Sequence, residues 1–315
     1  MATGWRNLLV AAAAFAAVVG IAGCGGDGAD GEGVRVVATT TQIGALVREV
    51  AGDRVRLDVL LDAGADAHDY EPSPQDSRRL READLVLKNG IGLDDWLDDL
   101  IAGSGTRATV VVVTEGVDVI AGDDHGHEDE AAGDDHAHEE GDPHVWHDPA
   151  NVQVMVTNIA EALAGADPAN AASYRAAAEA YRAKLDDVDR QIRELFAPVP
   201  EGNRKVVTEH VSLQYFARRY GIAVVGAIVP TTSKDAQPSA QDLARLTDVI
   251  REEGVRAILA EAEVDPKVAE QLARDTGVRV VTGLYADSLG PAGSGADTVD
   301  GMLLHNARLI AEALR

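Results

Sequence analysis

The stretch VRVVATTTQIGALVREVAGDRVRLDVLL, residues 34–61, decides the fold. It opens with the short apolar run Val34 to Ala38, continues as a helix-like segment from Gln42 to Ala51, and ends in a second strand-like run, Val55 to Leu61. A strand, a helix and a further strand in this order predict a right-handed βαβ unit whose two strands lie parallel in one sheet.

The same alternation continues along the chain and is then repeated in its second half. Further strands are predicted at Asp84 to Lys88, Ala108 to Val113, Lys205 to Thr208, Ile222 to Ile228, Ala257 to Ala260 and Arg279 to Thr282. Further helices are predicted at Pro74 to Glu82, Asp94 to Ile101, Leu213 to Tyr220, Ala240 to Glu253, Pro266 to Thr276 and Ala296 to Leu314. The sequence therefore predicts an α/β protein with two Rossmann-like lobes, 34–167 and 199–315, each built on a parallel sheet.

A long helical segment joins the two predicted lobes. Residues Ala169 to Phe196 contain neither proline nor glycine, and their apolar positions recur at roughly helical spacing. At about 1.5 Å per residue, this helix would extend roughly 40 Å, enough to run along both lobes. We expect the linking segment 168–198 to be a rigid helix that restricts hinge motion.

Composition limits the classes of partner. A length of 315 residues suggests two domains of ordinary size, and the formal charge of −25 argues against nucleic acid, whose phosphates need lysine and arginine. Cys24 is the only cysteine, which excludes an intramolecular disulfide and a cysteine-based zinc cluster.

The N-terminus predicts the compartment. Leu8 to Ala22 is an apolar run of secretory-signal length, too short for a comfortable membrane span, and Ile21-Ala22-Gly23-Cys24 resembles the lipobox of bacterial lipoproteins. The alternative is an ordinary signal peptide with a chance cysteine. We expect a lipoprotein signal peptide at 1–24, a flexible tether at 25–33, and a lipid anchor on Cys24 at the extracytoplasmic face of the bacterial cytoplasmic membrane.

Residues 121–142, here called the acidic loop, contain ten carboxylates, four histidines and no lysine or arginine. The histidines form two H-x-H pairs, His125 with His127 and His136 with His138, and residues two apart face the same side of an extended chain. Imidazole suits zinc, copper and nickel, so we predict an auxiliary metal-attracting loop. The alternative is a solvated acidic linker whose histidines are incidental.

Four further residues follow predicted strands, two in each lobe: His68, His144, His210 and Asp287. Taken singly, each would be interpreted as a capping or surface residue. In open α/β sheets, however, ligands bind beyond the carboxyl ends of the strands. Together the four predict a site of three imidazoles and one carboxylate in the cleft between the lobes.

Four motifs carry a resemblance to a known family. They are His68-x-Tyr70-Glu71-Pro72-Ser73-Pro74, Asp142-Pro143-His144-x-Trp146, His210 followed by Tyr215-Phe216-Ala217-Arg218-Arg219-Tyr220-Gly221, and Asp287-Ser288-Leu289-Gly290. In this order they resemble the ZnuA-type zinc-binding receptors, which belong to the cluster A-I substrate-binding proteins of ABC importers. The resemblance implies a metal site between two lobes joined by a rigid helix, with His68, His144, His210 and Asp287 as ligands. It also implies an importer permease with its ATPase as partner, and we expect a monomer that is not an enzyme.

Position 210 separates the metals that this family carries. Manganese receptors resemble the same segment but place a carboxylate where His210 stands, whereas three imidazoles and one carboxylate favour Zn²⁺. Glu209 precedes His210, so a register error of one residue would give a manganese-like site. A manganese receptor, a zinc-dependent hydrolase and a surface metal buffer without a transporter are the alternatives. The sequence lacks an H-E-x-x-H helix, a nucleophile elbow and a phosphate-binding glycine loop, which argues against an enzyme.

Several neighbouring residues are candidates for supporting roles. Glu261 and Glu263 follow the strand Ala257 to Ala260, and we predict that they, and Glu209, orient a ligating histidine by hydrogen bonding. Three roles are open for His147: a group supporting a ligand, an auxiliary ligand on the side of the acidic loop, or a surface histidine. We interpret it as a surface histidine.

Overall fold

The computed structural model describes residues 33–121, 141–231 and 238–315. The first lobe alternates strands and helices: β1 Val34–Ala38, α1 Thr41–Ala51, β2 Val55–Val59, α2 Pro74–Glu82, β3 Leu85–Lys88, α3 Trp96–Ser104 and β4 Thr109–Val112. Its four strands are parallel and stand in the order β2-β1-β3-β4. The strand order therefore reverses between β1 and β3, and in open α/β sheets ligands bind beyond the carboxyl ends of the strands at such a point.

Two long helices come after β4, and the sequence predicted only one of them. The missed helix, α4 Pro149–Ala166, begins at Asp148, whose side chain accepts a hydrogen bond from Ala150 N at 2.7 Å, with proline in the first turn. The predicted linking helix is α5 Ala171–Phe196. Its buried side chains recur every three or four residues, and it packs against α1 and α4, so it is anchored to the first lobe along its length.

The second lobe repeats the design of the first. Its elements are β5 Lys205–Thr208, α6 Gln214–Tyr220, β6 Ala223–Ala227, α7 Ala240–Glu253, β7 Ala257–Glu261, α8 Lys267–Thr276, β8 Arg279–Leu284 and α9 Val299–Leu314. The strands are again parallel, in the order β6-β5-β7-β8. The predicted class, two α/β lobes with parallel sheets and a long connecting helix, is confirmed.

The apolar core is shared between the lobes. One cluster of buried side chains runs from β1 through α4 and α5 to α6 and α9, whereas a smaller, separate cluster lies around β7, α7 and α8. Helix α5 contacts α9 and α6 as well as the first lobe. Helix α5 and the larger core cluster therefore join the two lobes by direct packing.

Part of the predicted organisation lies outside the described residues. This applies to the signal peptide and tether, to Cys24, and to the four loop histidines His125, His127, His136 and His138. Across the ranges that the structure describes, no helix combines the length and apolar character needed to cross a bilayer.

Candidate metal centre

The four candidate ligands all follow strands, at the edge of the sheets where the lobes meet. His68 lies in the loop after β2, and His144 precedes a short 3-10 helix, Val145–His147, that leads into α4. His210 comes two residues after β5, and Asp287 comes three residues after β8. The fold thus brings together residues that are far apart in the sequence.

Three of the four residues form a compact buried group, here called the His-Asp cluster: His144, His210 and Asp287. His144 Nε2 lies 3.4 Å from Asp287 Oδ1, and His210 Nε2 lies 3.3 Å from Asp287 Oδ2. One potential ligand atom from each residue lies within 4.8 Å of the others, and all three side chains are buried. Two imidazole nitrogens therefore face the two oxygens of one carboxylate. A divalent cation can bind between these atoms if it displaces protons from the imidazoles.

His68 lies beside this cluster in a different environment. Its Nε2 is 3.5 Å from His144 Nε2, and its residue is only partly buried. Its backbone N–H donates to Asp66 Oδ1 at 2.8 Å, which fixes the turn of the loop but leaves the ring orientation to other contacts. The structure brings His68 to the edge of the His-Asp cluster.

Asp142 sets the orientation of the His144 ring. Its Oδ1 lies 2.7 Å from His144 Nδ1 and also accepts a hydrogen bond from the backbone N–H of His144 at 2.9 Å. With Nδ1 occupied in this way, Nε2 is the nitrogen that points toward Asp287. Sequence reasoning missed this role, although a carboxylate two residues before the histidine, in Asp142-Pro143-His144, was the available signal.

Glu261 occupies the same position relative to His210. Glu261 Oε1 lies 2.6 Å from His210 Nδ1, and both side chains are buried. Glu263 instead contacts the hydroxyl of Ser288. Glu209 is buried, and its carbonyl accepts a hydrogen bond from Val229 N at 2.8 Å. Glu209 and His210 are adjacent at the end of β5, and the contact with Asp287 is made by His210.

The charges in the His-Asp cluster stabilise one another. Burial alone would lower the pKa of His144, but its contacts with Asp142 and Asp287 outweigh burial and raise that pKa to about 9. Burial is outweighed in the same way at His210, where Asp287 and Glu261 raise the pKa. Burial of Asp287 is opposed by His210 and His144, which lower its pKa. The Asp287 carboxylate thus favours the protonated form of both imidazoles, and the imidazoles favour the ionised form of Asp287.

His68 shows the opposite behaviour. Burial, followed by repulsion from His144, lowers its pKa to about 4, so it is neutral at physiological pH. Neutral imidazole is the form that binds metal. Glu209 also departs from its usual range, because burial and the nearby charge of Glu261 raise its pKa to about 7.

The interpretation of His147 as a surface histidine is wrong. Its side chain is fully buried, and burial followed by the charge of His144 lowers its pKa to about 3. The physical reason is the short 3-10 helix, which turns the chain inward between His144 and α4. The neighbouring Trp146 is also inside, and its Nε1 donates to Ala286 O in the other lobe at 2.9 Å.

Two α/β lobes on parallel sheets, with a buried imidazole and carboxylate cluster where they meet, define the class of two-lobed metal-binding receptors. The chain belongs to the family described as "Zinc-uptake complex component A periplasmic", whose model matches residues 36–313. It is accordingly a metal-binding, extracytoplasmic substrate-binding protein of an ABC importer.

Individual relatives extend over nearly the same length of chain. The manganese-binding lipoprotein MntA of Halalkalibacterium halodurans is 30% identical over 284 residues, covering 90% of this chain and 89% of its own. The manganese ABC transporter substrate-binding lipoprotein PsaA of Streptococcus anginosus is 29% identical over 287 residues, with 89% of each chain covered. Among solved structures, the periplasmic zinc-binding protein TroA of Treponema pallidum is similar with a TM-score of 0.78 and 28% identity, covering 89% of this chain and 98% of that one.

Proposed function

We propose that this protein captures zinc outside the cytoplasm and delivers it to its importer, with His68, His144, His210 and Asp287 as the ligands. One observation carries the proposal: the Nε2 atoms of two buried histidines face the two oxygens of one buried carboxylate, at 3.4 and 3.3 Å. A third imidazole nitrogen, from His68, lies 3.5 Å from His144 Nε2.

The donor set supports zinc as the cargo. Zinc is usually held by four ligands in a tetrahedral arrangement, and imidazole nitrogen suits it better than it suits manganese. The residue that approaches Asp287 is His210 and not the adjacent Glu209, so the nitrogen-rich register is the one supported by contacts. The relative TroA is named as a zinc-binding protein.

Manganese is the second candidate, because MntA and PsaA are both named for that metal. A harder, oxygen-richer site would suit manganese, and a carboxylate at position 210 would supply it. The identity of residue 210 is therefore the feature that separates the two candidates.

The arrangement supports transport in preference to hydrolysis. A catalytic zinc keeps one coordination position open for water, whereas four protein ligands close a tetrahedral site. We also propose that Cys24 carries a lipid anchor, that the protein is monomeric, and that the acidic loop attracts zinc weakly near the main site. An importer permease and its ATPase would receive the metal.

The test is a competitive titration of zinc against manganese with three proteins: the wild type, His210→Glu, and the control His305→Gln. His305 lies on α9, where its Nε2 is 2.9 Å from Gly283 O, so its replacement leaves the candidate ligands in place. The wild type and the control should bind one tight zinc equivalent and prefer zinc, and His210→Glu should shift the preference toward manganese. A manganese preference in the wild type would overturn the zinc assignment.

A further inference from the structure

The acidic loop leaves and re-enters the first lobe at one point, which we call the neck: Ile120 and Asp142. Asp142 N donates to Ile120 O at 2.8 Å, so the two chain segments are held side by side. Gly141 makes this approach possible, because a Cβ atom there would lie 2.5 Å from Ile120 O. The neck is therefore a closely packed, hydrogen-bonded structure.

A single tyrosine from the other lobe binds both sides of the neck. The hydroxyl of Tyr215, on α6, accepts a hydrogen bond from Ile120 N at 3.0 Å and donates one to Asp142 O at 2.6 Å. The Tyr215 side chain is fully buried. Arg218, one turn further along α6, places its guanidinium 5.5 Å from the Tyr215 ring and pairs with Asp118 at 3.1 Å. Helix α6 of the second lobe therefore binds the neck and the adjoining Asp118 by two hydrogen bonds and one ion pair.

The neck is joined directly to the candidate metal centre. Asp142, whose carbonyl binds Tyr215, is also the residue whose carboxylate lies 2.7 Å from His144 Nδ1. Tyr215 follows His210 by five residues in the same segment of the second lobe. The segment 210–215 therefore carries one candidate ligand, His210. Through Tyr215 and Asp142 it also contacts the support of a second candidate ligand, His144, in the other lobe.

We propose that Tyr215 is a positioning residue for the metal site: its hydroxyl fixes the neck, and through Asp142 it sets the orientation of His144. The inference rests on the proposed function, in which His144 binds zinc. The Tyr215 hydroxyl satisfies one part-buried backbone donor and one buried backbone acceptor, so losing it removes a hydrogen-bond partner from each chain segment of the neck. Tyr215→Phe should therefore release Asp142 and weaken zinc binding without removing any ligand.

The same helix offers a matched control. Tyr220 is also buried on α6 and also uses its hydroxyl in a hydrogen bond, to Asp189 Oδ1 at 3.0 Å, but that partner belongs to α5 and not to the neck. Tyr220→Phe therefore removes an equivalent hydroxyl without touching Asp142. Any general loss of stability from a missing hydroxyl should be seen in both variants.

The experiment measures zinc affinity of the full-length protein by competition with a chelating indicator, for the wild type, Tyr215→Phe and Tyr220→Phe. We expect Tyr215→Phe to bind zinc about 10-fold more weakly, at the lower end of the range for residues that support metal ligands, and Tyr220→Phe to match the wild type. Equal affinities for the two variants would overturn the proposal. A wild type without a tight zinc site would instead overturn the proposed function itself.

Two further readings separate positioning from general support of the fold. Nitrogen-15 NMR of the His144 ring should change in Tyr215→Phe and not in Tyr220→Phe, because only the first alters the contact between Nδ1 and Asp142. A double-mutant cycle compares the losses of zinc affinity. In a protein that already carries Asp142→Ala, Tyr215→Phe should reduce zinc affinity little further, because both substitutions act on the orientation of His144. Additive losses, or an unchanged His144 spectrum, would show that Tyr215 does not act through Asp142.

Discussion

His144 and His68 contribute the same chemical group to one candidate site, yet their surroundings differ. The ring of His144 is fully buried between two carboxylates, with Asp142 Oδ1 2.7 Å from Nδ1 and Asp287 Oδ1 3.4 Å from Nε2. The ring of His68 belongs to a partly buried loop and faces another imidazole at 3.5 Å. The ring of His144 is thus oriented by two carboxylates, whereas the ring of His68 contacts the His144 imidazole and its backbone N–H donates to Asp66.

This difference suggests separate roles in metal binding for the His-Asp cluster and for His68. Asp142 and Glu261 each contact a histidine of the His-Asp cluster, so under the proposed function little ordering of these rings would remain when zinc binds. His68 comes from a loop after β2 and would complete the coordination from the side of the first lobe. Under the proposed function, His68 would be a partly buried ligand beside the buried His-Asp cluster, which suits a receptor that must both hold and release its cargo.

We expect the largest loss of zinc affinity from removing the negative charge of Asp287, which both buried imidazoles contact. Asp287→Asn keeps the size of the side chain but replaces the carboxylate that faces both His144 and His210. We expect zinc affinity to fall by more than the roughly 100-fold that marks the upper end for residues that only support ligands. Competitive titration measures this loss, and a loss of 10-fold or less would show that Asp287 is not a ligand.

The difference between buried and partly buried histidines is tested by replacing one of each with alanine. His210→Ala removes a buried member of the cluster and leaves Glu261 without its partner, whereas His68→Ala removes the partly buried loop residue. We expect His210→Ala to weaken zinc binding more than His68→Ala, because it also leaves a buried carboxylate unpaired. The same titration, run on both, decides the order, and a larger loss for His68→Ala would contradict the account.

Protonation gives a third test of the difference. Because the pKa of His144 is raised to about 9 and that of His210 is raised as well, zinc would compete with protons for both rings. Each displaced proton costs about 10-fold in affinity per pH unit, so zinc affinity should fall by at least about 10-fold for each unit that pH decreases between 8 and 6, and further wherever His210 is also protonated. His68, with a pKa of about 4, stays neutral in this range and adds nothing.

Zinc affinities measured at pH 6, 7 and 8 check this slope. A slope of three protons would mean that His68 also carries a proton, which would remove the distinction between the two environments. A slope near zero would show that zinc binds elsewhere.

Glu261 tests whether preorganisation of the cluster matters. Glu261→Gln keeps a group that can contact His210 Nδ1 but removes the charge, and we expect zinc affinity to fall by about 10-fold to 100-fold. The matched control is Glu253→Gln, an exposed carboxylate of the same lobe that pairs with Lys205 at 2.8 Å. The two variants should differ clearly in an indicator competition assay, and equal affinities would mean that His210 needs no carboxylate behind it.

The smallest effect on the main site is expected from shortening the acidic loop. Deleting residues 122–140 joins chain ends that already lie side by side, since Asp142 N bonds Ile120 O at 2.8 Å, and it spares Asp142. We expect one tight zinc equivalent to remain while weaker equivalents disappear. Calorimetric titration of both forms counts them, and loss of the tight equivalent would place the main site in the loop.

The sequence was sufficient for the class of fold because strand and helix periodicity is a local property. The strands of both lobes lie where the apolar runs predicted them, with small differences such as β2 ending at Val59 and not at Leu61. Helix α4 was not predicted, although an aspartate followed by a proline, as in Asp148-Pro149, is a signal for a helix start. In the structure, Asp148 caps the helix and Pro149 occupies its first turn.

The candidate ligands were found because each follows a strand, and strand ends meet at one edge of a parallel sheet. The residues that support them are less visible in the sequence. Whether Asp142, Glu261 or Glu263 contacts a histidine depends on how loops from different strands pack, and His147 turned inward through a single 3-10 turn. Tyr215 belongs to a recognised motif, but its contact with the neck joins two lobes and leaves no local pattern.

The central claim is that zinc binds between His144, His210 and Asp287 and is completed by His68. Crystals of the zinc-loaded protein, measured on both sides of the zinc absorption edge, test it directly. The account predicts one strong anomalous peak between these four residues, with zinc to nitrogen distances of about 2.0–2.1 Å. A peak at another place, or one ligated by Glu209 in place of His210, would contradict it.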